Sequence, residues 1–124
     1  MKKLLIALII VFYSLPAFAQ EQTADKKFIF TSAFLAGATM LDVESTFAAL
    51  NKCAGTCREG NPLMRPLFQS GRPAVYAVQG GVDVAVIAWS YKMKKDGNKL
   101  WWLVPVALGT AHGFAGGFNM RFVF

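Results

Sequence analysis

Phe28 to Lys52 reads FIFTSAFLAGATMLDVESTFAALNK, a stretch long and apolar enough to cross a bilayer. Its second half nevertheless carries Asp42, Glu44 and Thr46. An acid at the centre of a spanning helix costs about 2.5–3.5 kcal/mol on insertion scales, so it needs a partner or a purpose. Two later apolar segments each offer one ionisable group near the middle, Asp83 and His112. The expected fold is therefore all-α. It is a three-helix transmembrane bundle with helices at about 28–50, 73–91 and 100–120, turned so that these groups face inward. At 1.5 Å per residue, Asp42, Asp83 and His112 then lie within roughly 5 Å of the midplane.

Composition agrees with a membrane domain. The chain has 124 residues, room for one domain, with 55% hydrophobic and 16% charged residues; soluble domains are more charged and less apolar. The net charge of +6 does not point to nucleic acid. The basic residues sit at the ends of apolar segments, where they meet lipid headgroups, and form no stripe interleaved with aromatics. The expected partner is thus the lipid bilayer, with no nucleic acid.

The first 19 residues read as a cleavable signal peptide. Lys2 and Lys3 are followed by a short apolar run, and Ala17-Phe18-Ala19 gives the small-x-small pattern before Gln20. Residues 20–27 form a short polar tail, and 28–124 the three-helix membrane domain. A cleaved leader would put the loop after the first span inside. The basic residues do not decide the matter. Lys52, Arg58, Arg65, Arg72 and Arg121 gather at one end, and Lys26, Lys27, Lys92, Lys94, Lys95 and Lys99 at the other.

Each span has a distinct inward face. In the first, Ser32, Ala36, Thr39, Asp42 or Val43, Thr46 and Ala49 recur at helical spacing, with Phe30, Phe34 and Leu41 opposite. Small and polar faces are the ones that pack against other helices in lipid. Glu44 falls about 200° round from Asp42, on another face. In the second, Tyr76, Gln79 or Gly80, Asp83 and Ser90 form the polar stripe. In the third, Pro105, Gly109, His112, Gly116 and Asn119 follow a four-three-four-three seam. Gly109, Gly113 and Gly117 add a small-xxx-small ridge that offers a surface for a homo-oligomer or a membrane complex.

The loop CAGTCREGNPLMRPLFQSGR holds both cysteines, Cys53 and Cys57. An even pair in an exported protein favours a disulfide, whereas a cytosolic loop would keep free thiols. No further Cys or His stands nearby to complete a zinc site. The run Asp42-x-x-Ser45-Thr46, followed by Glu59-x-Asn61-Pro62-Leu63-Met64, resembles a group of small bacterial multi-helix membrane proteins of unknown function. The resemblance covers mainly Leu41 to Phe68. It implies a multi-pass protein of the bacterial inner membrane and a loop motif of Glu59, Asn61 and Pro62. It brings no activity with it, and it accounts for neither the leader nor the cysteine pair.

The first functional reading is a structural or accessory subunit, in which Asp42, Thr46, Gln79, Asp83, His112 and Asn119 bond one another and hold the bundle in register. The second is proton or divalent-metal binding or transport by Asp42, Asp83 and His112, since intramembrane ionisable residues mark ion paths. A divalent metal is the one cofactor those groups would hold. An enzyme ranks last, because no G-x-S-x-G, H-E-x-x-H or glycine-rich phosphate loop is present. A rival fold is a small outer-membrane barrel. Phe118, Met120, Phe122 and Phe124 alternate as a last barrel strand does, although the earlier segments are continuous apolar stretches.

Overall fold

The computed structural model describes residues 23–53 and 56–124. The expected leader, 1–19, and the first residues of the polar tail lie outside the described residues. Those residues form four helices and no strands: α1 Lys26–Lys52, α2 Arg65–Ser70, α3 Arg72–Lys95 and α4 Leu103–Val123. The all-α expectation holds and the barrel does not. The alternating phenylalanines lie on the last turns of α4, where Phe118 and Phe122 sit one turn apart with ring centroids 5.8 Å from each other. A helix carries that pattern because the seam from Pro105 onward continues through it.

Local chemistry fixes the ends. Asp25 caps α1 by accepting from the Phe28 amide at 2.9 Å, so the helix begins two residues before the expected Phe28. Gly71 ends α2 and opens α3 at a φ of +93°, a conformation that glycine adopts without strain. Pro73 follows in the first turn of α3, where its missing N–H is harmless. After α3 the Gly97 amide donates to the Lys94 carbonyl and the Asn98 amide to Met93, each at 3.0 Å, with Gly97 at φ +79°. This paired closure stops the helix four residues beyond the expected Tyr91. Trp101 and Trp102 fall in the turn before α4, which starts at Leu103 rather than Leu100.

The dominant packing is α1 against α4. Pro105, Gly109 and Gly116 are buried on the side of α4 that meets α1, as the seam predicts. A Cβ on Gly116 would come 3.1 Å from the Asp42 amide nitrogen and 3.2 Å from the Leu41 carbonyl carbon, so the two backbones touch there. One on Gly109 would strike the Phe34 ring. The proposed glycine ridge therefore divides. Gly109 is covered inside the chain, while Gly113 and Gly117 face open space.

α3 lies more loosely on this pair and is anchored at both ends. At the loop end Val43, Phe47 and Val75 form a buried cluster with Leu67, Phe68 and Tyr76 against it. Beside it, Glu44 accepts from the Tyr76 hydroxyl at 2.8 Å and from Arg72 at 3.2 Å. At the other end Phe28 packs on Tyr91 and Trp101, and Lys94 pairs with Asp25.

Polar side chains are buried alongside the apolar core, and large apolar ones are left outside. Thr31, Thr39, Ser45, Thr46, Asp83 and Ser90 are buried, while Phe30, Val84 and Phe114 are 75%, 68% and 77% exposed. Ala36, expected on the inner face of α1, is exposed, and Leu35 is fully buried in its stead. Among the described residues α1 is the one helix both long and apolar enough to cross a membrane. α3 and α4 have 24 and 21 residues, about 36 and 32 Å at 1.5 Å per residue.

Candidate functional site

α1, α3 and α4 each present a polar side chain near mid-length, and two of the three ionisable groups meet. His112 Nδ1 lies 2.7 Å from Asp42 Oδ2, with the two side chains only 14% and 18% exposed. The buried Asp83 carboxylate turns instead to Thr39, whose hydroxyl donates to it at 3.2 Å. Asp83 thus bonds about one turn of α1 away from Asp42.

Toward the loop end, Asn119 Nδ2 donates to Thr46 Oγ1 at 2.7 Å and reaches Ser45 Oγ at 3.4 Å. Gln79 Nε2 makes a long contact of 3.9 Å with Met64 Sδ. These groups surround a cavity of about 210 Å³. Asp42, Thr46, Gln79, His112 and Asn119 line it from the helices, and Glu59, Asn61, Met64 and Phe68 from the connection between α1 and α3.

The E-x-N-P segment is shaped to cover this space. The Asn61 amide donates to Glu59 Oε1 at 3.1 Å, and Asn61 Oδ1 accepts from the Leu63 amide at 3.0 Å. The Asn61 carbonyl takes the Met64 and Arg65 amides, both at 3.1 Å, which starts α2. Side-chain bonds of this kind hold a turn without a ladder. Pro62 is exposed and does not line the cavity. Cys53 and Cys57 are joined in a disulfide, which ties the loop back to the end of α1.

Five of the six expected helix residues and two of the three loop residues therefore line this cavity, with Asp83 set apart from it. Val43, Met64, Phe68 and Ala115 complete the lining; the helical spacing of α1 points to Val43 as the alternative to Asp42, but no sequence signal points to Phe68 or Ala115. For Met64 the signal was its place in the N-P-L-M run. Among the described residues, no three His, Cys, Asp or Glu side chains converge on a point that would hold a metal. The Asp42, Asp83 and His112 set is split, so its metal-binding form lacks a third ligand.

The Asp42–His112 pair is suited to holding and exchanging a proton. In neutral His112, Nδ1–H donates to the carboxylate and Nε2 is left to accept; in the charged form both nitrogens donate. No Lys or Arg lines the cavity to compete for the carboxylates.

Residues 33–115 match a family whose description is a domain of unknown function, DUF5658. That stretch runs from α1 into α4 and holds each residue of the cavity except Asn119. No curated protein and no solved structure matches the chain.

Proposed function

The chain belongs to the DUF5658 family, and from that footing we propose that it is a three-span, multi-pass protein of the bacterial inner membrane. Its polar cavity takes up a proton or a small polar solute at the Asp42–His112 pair. Support for the membrane comes from the apolar side chains left outside. Large apolar side chains on all three long helices are exposed, while hydroxyls and an acid are buried beside the apolar core. Trp89 and Trp102, 48% and 43% exposed near the lysine-rich turn, suit a headgroup belt.

One observation carries the binding reading. Polar side chains from three helices and a loop converge on a space they do not fill. Hydrogen bonds that serve only to hold helices in register need no such space. Because His112 is the single histidine, its imidazole gives an unambiguous NMR signal in protein purified in detergent or nanodiscs. The signal should titrate reversibly with pH, and its midpoint should move when Asp42→Asn removes the carboxylate. An imidazole that shows no titration, or a midpoint the substitution leaves in place, removes the proposal.

A structural or accessory role rests on a different observation: Thr39–Asp83 and Asn119–Thr46 satisfy one another with no ligand. Such bonds average about 0.6 kcal/mol in membranes, enough to set register. A homo-oligomer in that role would use Gly113 and Gly117, the open part of the ridge. The disulfide supports an orientation with the loop end on the oxidising side, opposite to the one a cleaved leader predicts.

A further inference from the structure

Across Glu59 from the polar cavity lies a second space of about 490 Å³, walled by Leu50, Arg58, Glu59, Arg65, Phe68 and Gln69. Its chemistry is opposite. Arg65 Nη2 donates to the Glu59 carbonyl at 3.2 Å, but Arg65 Nε is buried with no hydrogen-bond partner. A guanidinium keeps its charge at any relevant pH, so Arg65 brings a fixed positive charge to this wall. Arg58 shares the wall and is exposed, with no shortage of donors to offer. The one acid present, Glu59, already receives the Asn61 amide on Oε1. The pocket is thus lined by two arginines and a single carboxylate, one oxygen of which already accepts an amide.

We propose that this pocket binds a phosphate group, with Arg65 and Arg58 as its donors. The planar fork of arginine matches phosphate oxygens in pairs, which a lysine does not. The position favours the headgroup of an anionic phospholipid. Leu50 stands near the end of α1, Phe68 lines the pocket beside the arginines, and Leu63 on the same connection is 81% exposed. A basic pocket floored by apolar side chains at the end of a spanning helix meets a headgroup and the start of its chains together. The lipid source rests on the membrane reading above; the phosphate chemistry does not.

The test uses full-length protein in a neutral detergent, followed by tryptophan fluorescence during heating. Phosphatidylglycerol, at ten times its apparent Kd, should raise the unfolding midpoint by about 5 °C. Phosphatidylcholine should not. Arg58→Gln, an exposed position, should remove most of the shift, and Arg65→Lys should keep less than half of it. Circular dichroism verifies that each variant is folded. A shift produced equally by inorganic phosphate supports the pocket with a soluble ligand as its source. No shift with either probe, or an undiminished shift in Arg58→Gln and Arg65→Lys, overturns the proposal. The His112 titration is a separate readout, so either result stands when the other fails.

Discussion

The two ends of the bundle solve the same problem in opposite ways. Both must hold the loosely packed α3 against α1 and α4. At the lysine-turn end the contacts are made within the chain: Lys94 pairs with Asp25 and lies 4.6 Å from the centre of the Trp101 ring, and Phe28 packs on both Tyr91 and Trp101. At the loop end the chain spans the gap with a disulfide-tied turn and leaves polar space on both sides of Glu59. The first end is closed by these contacts, although Ser90 Oγ is buried there without a hydrogen-bond partner. The second end differs in that its donors and acceptors surround open space.

The largest effect should come from the seam on which both ends depend. Gly116→Leu would drive a side chain into the backbone of Leu41 and Asp42, which cannot give way as a flexible side chain could. Overpacking of this kind costs about 1–3 kcal/mol and more where backbone must move. Thermal unfolding in detergent should show a strongly lowered midpoint and loss of the His112–Asp42 contact. Gly113→Ala, facing open space one turn away, should leave the midpoint near that of the native chain. Equal behaviour of the two variants would mean that α1 and α4 do not approach along this face.

A smaller effect, confined to one end, should follow reduction of Cys53–Cys57. By the loop-entropy estimate a short closed loop contributes about 2 kcal/mol, with the lysine-turn end untouched. The same cysteines report orientation. In intact cells a membrane-impermeant maleimide should fail to label them, and should succeed after treatment with an impermeant reductant. Labelling that requires cell lysis would place the loop inside, in agreement with a cleaved leader and against the disulfide.

The sequence carried the helix faces well and the loop poorly. The α4 seam is legible because Pro105, Gly109, His112, Gly116 and Asn119 keep helical spacing, and small side chains are the ones over which two helix backbones can approach. For the same reason Thr39, Val43, Thr46 and Ala49 were placed correctly on α1. Asp83 was harder. Depth along a helix comes from counting, but its partner depends on how α3 crosses α1, and that crossing is set by Gly71 and the cluster of Val43, Phe47 and Val75. The return of Glu59 and Asn61 over the cavity was not legible at all. It arises from side-chain bonds within an aperiodic turn, which no hydrophobic period encodes. The run from Phe118 to Phe124 reads equally as strand or helix in isolation, and only its continuity with the seam decides.

The smallest expected effect tests whether the lysine-turn end is closed by its own partners. Lys94 beside Asp25, together with the Phe28 amide it caps, holds the Asp25 carboxyl below its ordinary value of 3.8. A carboxyl with a lowered value in the folded chain binds protons less readily there than in the unfolded chain. Its stabilising contribution is complete above pH 3.8 by a unit or so, and is lost as pH falls through the folded value. Asp25 is exposed and screened, so the slope should be shallow. Unfolding midpoints measured between neutral and acid pH should therefore fall slightly more in the native chain than in Asp25→Asn, and the difference should shrink in high salt. The mid-bundle pair gives the contrasting control: Asp25→Asn should leave the His112 titration unchanged, because that pair shares no partner with Asp25. A shifted His112 titration in Asp25→Asn would show that the two ends are coupled through α1, and the division between a closed end and a binding end would have to be given up.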